Sequence, residues 1–353
     1  MAISCKEARE RLKQRPKVKL GFFPTPFYKL ENLSKKLGVN LYIKRDDFTG
    51  MSLFGGNKIR KLEYLIGEAA DQGCEYVFTY GATQSNHAMQ TVTACRKYGL
   101  HPIIYLVAIV KPDEEDIRSN LLLDRIMDAE IHIVEMMEGE KEEEAEERSF
   151  QLAKEHIAKL EQEGHKCYDV PMGGASPVGS LGFVEGMVEL EEQLEQMNLT
   201  MDYIFHATGT GGTMAGMAAG KKLIGSEAEI ISVNVSAKDS GYPSRCEDLA
   251  NASLKLIQTE PLVSKDQDIH TDLKYYLPGY EIPNEGATEA IRMLAREEGL
   301  FLDPVYTGKA FAGMIDYIAA GKVKQGSNVV FWHTGGATAL FAEKEILGQL
   351  TAR

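Results

Sequence analysis

The stretch EYVFTYGATQSNHAMQTVTACRKYG (75–99) decides the fold, because it predicts a strand followed directly by a helix. Residues 75–81 are rich in β-branched and aromatic side chains, and the helix that follows them ends at Gly99. HPIIYLVAIV (101–110) predicts the next strand, which Pro112 closes. A strand, a glycine turn and an amphipathic helix in succession are typical of a parallel α/β sheet.

The same order recurs further along the chain. DYIFHATGTGGTMAGMAAGKK (202–222) again predicts a strand, a glycine loop and a helix. EIISVNV (229–235) and NVVFWHTGG (328–336) are two more candidate strands. The sequence therefore predicts an α/β fold in which helices flank a mainly parallel sheet.

Composition and charge exclude several classes of protein. With 353 residues, 44% hydrophobic and 26% charged, the chain is long enough for two domains or one large α/β unit. A formal net charge of -13 argues against nucleic acid or an anionic membrane as partner. Residues 1–17 are charged and are not expected to form a signal peptide, and no apolar run approaches the length of a membrane span.

Cysteine and histidine usage argues against disulfides and metal. The five cysteines are widely separated and form no CxxC pair, which favours a reducing cytoplasm. The eight histidines show no zinc-like spacing with cysteine, so no metal site is expected.

A segment dense in glutamate, MMEGEKEEEAEERSFQLAKEH (136–156), predicts a helix with a solvated face. In such a helix Glu144 and Arg148 form a favourable pair four residues apart, whereas Glu142 and Glu146 repel each other at the same spacing.

Two lysines open the helix predicted in GGNKIRKLEYL (55–65). Lys58 and Lys61 lie three residues apart and therefore on one side of the helix, whose apolar face consists of Ile59, Leu62, Leu65 and Ile66. Two nearby ammonium groups lower each other's pKa, and a lysine must be neutral to attack a carbonyl carbon. From the local sequence alone, two ordinary surface lysines remain an alternative.

Two loops place polar groups at strand-to-helix junctions, where ligands bind in open parallel sheets. In TYGATQSNHAM (79–89), Ser85 is either a helix N-cap or a catalytic or carboxylate-binding residue, and Asn86 can bind a phenolate or a carboxylate. His87 fits a structural role at the junction. HATGTGGTMAG (206–216) can hold a phosphate on its backbone amides, although it is neither a Walker loop nor a complete GxGxxG motif.

Together the motifs resemble the fold-type II pyridoxal-phosphate enzymes, specifically the family of D-cysteine desulfhydrase and 1-aminocyclopropane-1-carboxylate deaminase. The motifs that carry the resemblance run in the family's order and cover most of the chain: FFPTPFYKL, GGNKIRKLEYL, GATQSNH, TGTGGTMAGM, PNEGATEAI, DPVYTGKA and WHTGG.

The resemblance implies pyridoxal 5'-phosphate as cofactor, with Lys58 as the Schiff-base lysine. It implies that further cofactor contacts come from Asn57, Lys61, Asn86, Thr210, Gly211, Gly212, Thr213 and Thr307. Catalytic and substrate-side roles are implied for Ser85, Asn86, His87, Tyr280, Tyr306 and Thr334.

Within the family, three features resemble the desulfhydrase branch. The deaminases carry Glu after the DPVY tyrosine and Leu in their HLGG segment, where this chain has Thr307 and Thr334. The SNH tripeptide that ends at His87 points the same way. The expected reaction is β-elimination of a small amino acid, with D-cysteine giving pyruvate, hydrogen sulfide and ammonia. Cyclopropane-carboxylate deamination, L-cysteate sulfo-lysis and an inactive phosphate-ligand-binding protein remain alternatives.

The resemblance also implies an architecture. Two open, twisted, mainly parallel sheets are expected, as in the tryptophan synthase β fold. Residues 1–54 and 171–353 would form a large phosphate-binding domain, and residues 55–170 a small domain that carries the lysine. A cytoplasmic homodimer is expected from the family.

Overall fold

The computed structural model of the protein describes residues 2–50, 55–260 and 262–351. Neighbouring strands are parallel except the first pair, and they form a six-stranded sheet, β1-β2-β10-β7-β8-β9, and a four-stranded sheet, β5-β4-β3-β6. The strands are β1 (Phe27–Lys29), β2 (Asn40–Arg45), β3 (Tyr76–Ala82), β4 (His101–Ala108), β5 (Glu130–Glu135), β6 (Cys167–Asp169), β7 (Tyr203–Thr208), β8 (Glu229–Asn234), β9 (His270–Asp272) and β10 (Asn328–His333). The predicted fold class is confirmed.

Helices flank both sheets. They are α1 (Cys5–Leu12), α2 (Glu31–Leu37), α3 (Lys58–Asp71), α4 (Asn86–Tyr98), α5 (Ser119–Ile126), α6 (Glu142–Gln162), α7 (Pro177–Met197), α8 (Gly212–Ile224), α9 (Tyr242–Leu256), α10 (Lys265–Asp268), α11 (Glu285–Glu298), α12 (Thr307–Ala319) and α13 (Lys344–Leu347). Short 3-10 turns lie at Asp46–Phe48, Met172–Gly174, Ala337–Phe341 and Gly348–Thr351. Within the described ranges, none of these helices is both long and apolar enough to cross a membrane.

The stretch 75–99 folds as its sequence predicts. β3 leads directly into α4, and Gly99 ends the helix in the left-handed conformation at φ 71°. β4 stops at Ala108, two residues short of the predicted end, because the ladder to β5 ends there. Both faces of β3 and β4 are covered, which explains their nearly continuous apolar runs.

Each sheet draws its strands from separate parts of the chain. The four-stranded sheet uses residues between 76 and 169, and the six-stranded sheet uses residues 27–45 and 203–333. This separation fits the predicted division into two domains. The boundaries themselves stay a prediction, and the end of the first large-domain segment at residue 54 lies outside the described residues.

A buried network of charges joins α3 to the large sheet and so fixes the helix that begins at Lys58. Arg60 donates from Nε to Asp46 Oδ2 at 2.7 Å and from a second nitrogen to Glu189 at 2.9 Å. Lys44 also donates to Glu189, and all four charged side chains are almost fully buried. Charges can remain in the interior only when each one is paired in this way.

Candidate active site

A cavity opens at the carboxyl ends of the strands of both sheets, where open α/β folds bind their ligands. The loops that follow β3, β7 and β10 all reach its wall. Twelve predicted site residues line it: Asn57, Lys58, Lys61, Ser85, Asn86, His87, Thr210, Gly211, Thr213, Tyr280, Tyr306 and Thr334. Gly212 and Thr307 are not part of the wall.

Lys58 is the first residue of α3, and its side chain projects into this cavity. Its Nζ donates to Asn57 Oδ1 at 3.0 Å and lies 5.9 Å from the centre of the Tyr306 ring. Burial lowers the pKa of Lys58 to about 8, although the charge of Asp303 opposes the shift. A substantial neutral fraction near physiological pH makes Lys58 a nucleophile toward a carbonyl group.

The main cause of this shift differs from the one that the sequence predicts. Mutual repulsion between Lys58 and Lys61 was expected to lower both pKa values, but burial is the dominant cause for both residues. The charge of Lys58 adds to the lowering of the pKa of Lys61. Lys61 is fully buried, and its Nζ donates to the carbonyl oxygen of Gly173 at 3.0 Å. The alternative of two surface lysines is thereby excluded.

The loop 208–213 brings the start of α8 to the cavity wall. Gly211 is the N-cap of α8 at φ 93°, and no side chain caps the first amides of this helix. A Cβ at Gly212 would lie 2.9 Å from Lys61 Nζ, so the absence of a side chain lets the lysine reach the loop. Thr213 accepts from Asn57 Nδ2 at 3.1 Å, which ties the loop to α3. Free helix amides beside a buried amine suit a phosphate group.

Ser85 is the N-cap of α4, and its hydroxyl also faces the cavity. The Oγ accepts from the backbone N–H of Ala88 at 3.2 Å. The capping role is therefore present, and the substrate-binding role stays a prediction because an accepting hydroxyl still has its own proton to donate.

Replacement of Ser85 by alanine separates these two roles. Loss of the cap is expected to cost about 1 kcal/mol of unfolding free energy. If the hydroxyl also binds substrate, kcat/KM should fall by roughly tenfold or more. The matched control is Ser176→Ala, since Ser176 caps α7 through Gly179 N at 3.1 Å and does not line the cavity. Equal losses of activity in both variants would leave Ser85 with the capping role only.

Hydrogen bonds to neighbouring residues fix the orientation of the Asn86 and His87 side chains. Asn86 Oδ1 accepts from Asn120 and Thr338 at 3.0 and 2.9 Å, which leaves its amide hydrogens for a ligand oxygen. His87 Nε2 lies 2.8 Å from Thr79 Oγ1, and its Nδ1 has no partner among the described residues. Burial lowers the pKa of His87 far below its usual range, so the ring is neutral.

Tyr280 and Tyr306 meet in the cavity wall. Their hydroxyl groups are hydrogen-bonded to each other, and burial raises the pKa of both phenols. Both therefore stay protonated and can donate a hydrogen bond or a proton. Behind them lies Glu281, whose pKa burial raises to about 8 and whose Oε2 has no partner in the described part of the chain.

Asp303 is a further functional candidate. It belongs to the DPVYTGKA motif but was not among the predicted site residues. Its carboxylate accepts from the backbone N–H groups of residues 305–307 and from Thr307 Oγ1 at 2.6 Å. The Asp-Pro-Val-Tyr-Thr sequence thus folds into a turn that orients Tyr306 toward Lys58. Thr307 is fully buried against Asp303 and outside the cavity wall, and its role toward a cofactor stays a prediction.

The glutamate-rich segment does form a helix, α6, but two details of the prediction are wrong. Glu142 and Glu146 are half-buried in the cavity wall instead of solvated. Arg148 pairs with Glu140 at 2.8 Å, while Glu144 accepts from the backbone N–H of Lys141. Helix periodicity alone could not reveal that Glu142 and Glu146 line a cavity, because the other parts of the cavity wall are distant in sequence.

A possible set of metal ligands lies elsewhere. Within the described ranges, Glu130, His132 and His156 each place one ligand atom within 4.8 Å of the others. None of them lines the cavity, and Glu130 Oε1 is already hydrogen-bonded to His132 Nε2 at 2.7 Å. The expectation that the site uses no metal stays a prediction.

Comparison with known proteins identifies the class. Residues 18–335 match the family described as pyridoxal-phosphate dependent enzymes. The chain is 38% identical over 338 residues to D-cysteine desulfhydrase of Serratia proteamaculans, covering 94% of this chain and 97% of that protein. A protein of Pyrococcus furiosus with the provisional name 1-aminocyclopropane-1-carboxylate deaminase is 39% identical over 334 residues, covering 92% and 93%. A crystal structure of an ACC deaminase homologue has a TM-score of 0.83 at 35% identity, covering 95% and 96%.

The protein therefore belongs to the family of pyridoxal-phosphate dependent enzymes. More narrowly, it is an enzyme of the D-cysteine desulfhydrase and 1-aminocyclopropane-1-carboxylate deaminase group, similar to carbon–sulfur lyases. The geometry fits the cofactor. Lys58 would supply an amine with a lowered pKa, and the uncapped start of α8 with buried Lys61 would hold the phosphate.

The rate of covalent cofactor attachment to the apoprotein should rise with pH and level off above about pH 9. A lysine with a pKa of about 8 is roughly one-tenth neutral at pH 7 and nine-tenths neutral at pH 9, and only the neutral amine attacks. Stopped-flow absorbance with added pyridoxal phosphate measures the rate. A midpoint near 10, typical of an exposed lysine, would contradict the assigned pKa, and a Lys58→Ala variant controls for non-specific attachment.

Proposed function

We propose that the enzyme catalyses β-elimination of D-cysteine to pyruvate, hydrogen sulfide and ammonia. The observation that carries the proposal is the pair Thr307 and Thr334, which stand where the deaminase branch has Glu and Leu. Thr334 lines the cavity, and the Thr307 hydroxyl is committed to Asp303. The chain is about equally similar to D-cysteine desulfhydrase and to a protein with the provisional name 1-aminocyclopropane-1-carboxylate deaminase, so the choice of branch rests on these two positions.

Bound pyridoxal phosphate would supply the electron delocalisation that stabilises a carbanion at Cα. Lys58, Asn57, Lys61 and the loop at Gly211 and Thr213 would hold it. The Lys58 amine, or a group assisted by a tyrosine, would accept the Cα proton. Tyr280 and Tyr306 form a protonated pair beside Lys58 and can deliver a proton to the departing β-substituent. Ser85, Asn86 and His87 would orient the substrate carboxylate.

A product assay on the cofactor-loaded enzyme tests the proposal. D-cysteine should yield pyruvate and sulfide in equal amounts, while the cyclopropane substrate should yield little 2-oxobutyrate. The reverse product ratio would assign the enzyme to the deaminase branch. L-cysteine and L-cysteate are assayed as well, and the comparison establishes the configuration at Cα of the preferred substrate. Absence of any covalent cofactor after borohydride reduction would favour a non-catalytic binding protein.

The proposal also includes closure of the small domain and assembly into a homodimer. The small domain that carries Lys58 and Ser85 would close over the substrate and exclude water. A cytoplasmic homodimer follows from the family resemblance, and sedimentation of the loaded enzyme would test the dimer.

A further inference from the structure

The cavity wall contains two carboxylates that the proposed reaction does not use. Glu142 and Glu146 lie in the first two turns of α6, half-buried and facing the cavity. Neither side chain makes a hydrogen bond or an ion pair with the residues that the structure describes. Exposed neighbours on the same helix, Glu143 and Glu147, point away from the wall.

The cavity wall that contains the two carboxylates also contains a cation whose charge interacts with both of them. Lys238, in the loop after β8, also lines the wall, and its Nζ donates to Ser236 Oγ at 2.7 Å. Burial raises the pKa of Glu146 to about 7, and the charge of Glu142 adds to the shift while Lys238 opposes it. The net charge of Glu142, Glu146 and Lys238 together is therefore negative or neutral.

The same carboxylates lie close to the proposed substrate side. The charge of Glu142 contributes to the raised pKa values of Tyr280, Tyr306 and Glu281, so its field reaches the tyrosine pair. A β-substituent held beside these tyrosines would meet the field of Glu142. Repulsion between like charges in a partly buried cavity is strong because little water screens it.

We propose that Glu142 and Glu146 exclude amino acids with an anionic β-substituent, so that the substrate class is a small amino acid whose β-substituent is neutral or cationic. The inference rests on the proposed function, since it takes the β-carbon as the reacting position. Cysteine, with its neutral thiol, is accepted, whereas cysteate is excluded because its sulfonate is anionic.

Near-isosteric amino acids that differ in charge provide the test. Asparagine and aspartate, in both hands, are titrated into the loaded enzyme and followed by the absorbance of the bound cofactor. Asparagine should bind roughly tenfold or more tightly than aspartate of the same hand. In the double variant Glu142→Gln/Glu146→Gln this ratio should fall toward one, and in Lys238→Met it should increase.

The matched control is Glu147→Gln/Glu155→Gln, which removes the same charge from exposed positions of α6 outside the cavity wall and should leave the ratio within about twofold. An unchanged ratio in the Glu142→Gln/Glu146→Gln enzyme would overturn the inference. If D-cysteine is turned over but the native ratio is near one, the inference fails and the proposed function stands. If no amino acid changes the cofactor absorbance, the proposed function fails and the inference with it.

Discussion

Replacement of Lys58 by alanine is expected to lower turnover by roughly 10²–10⁴-fold and to abolish covalent cofactor attachment. Lys58 opens α3 within the cavity, and burial gives it a pKa of about 8. Lys61, three residues further on, is fully buried with its amine bound to Gly173. Because the two amines occupy different environments, Lys61 cannot take over the attachment.

Borohydride reduction followed by peptide mass mapping measures the attachment, and steady-state kinetics measures turnover. Lys61→Ala is the matched comparison: the label should stay on Lys58 while the affinity for pyridoxal phosphate falls. The folded state carries an unfavourable burial cost for the Lys58 ammonium, so the melting temperature of Lys58→Ala apoprotein should be unchanged or higher. A label that persists on another lysine in Lys58→Ala would refute the assignment.

Local sequence was sufficient for the elements on which the site is built. Strands and helices around residues 75–99 and 202–222 follow the predicted order, because period and glycine position are local properties. Parallel topology places each ligand-binding loop at the carboxyl end of its own strand, but Ser85 and Asn86 follow β3 of one sheet whereas Gly211 follows β7 of the other. Only the family resemblance indicated that they share one site. The family motifs added Tyr280 and Tyr306, which no local pattern distinguishes from ordinary buried rings.

Features that depend on distant contacts could not be predicted. Glu142 was predicted to be solvated because the sequence does not show that the start of α6 forms part of the cavity wall. The cause of the lowered pKa of Lys58 is burial, which depends on packing across the whole cleft. Each of these is a property of the tertiary fold.

The charge network around Arg60 is the clearest case, since its members lie far apart in sequence and gave no signal. Replacement of Arg60 by methionine should lower the unfolding free energy at pH 7 by about 3–5 kcal/mol, because it leaves Asp46 and Glu189 with too few cations. The variant also removes the cation–π contacts of the guanidinium with the Phe23 and Trp332 rings, whose centres lie 4.5 and 5.7 Å from it. Since α3 carries Lys58, cofactor affinity should fall as well.

Arg9→Met is the matched control. Arg9 also pairs with two glutamates, at 2.8 and 2.7 Å, but its side chain is 27% exposed, so its loss should cost less than about 1 kcal/mol. Urea denaturation of both variants and the native protein gives the comparison. Similar losses in the two variants would show that burial does not strengthen the Arg60 network.

The pH dependence of the Arg60→Met deficit tests its electrostatic origin. In the native protein, desolvation tends to raise the pKa of Glu189, but Arg60 and Lys44 outweigh it and hold that pKa far below the usual range. The stability from this charge is complete above the ordinary carboxyl pKa near 4 and is lost as the pH falls below it. Without Arg60, Glu189 should become protonated more readily in the folded state. The difference between native and variant should therefore shrink as the pH falls from 7 to about 5, whereas a packing defect would give a constant difference.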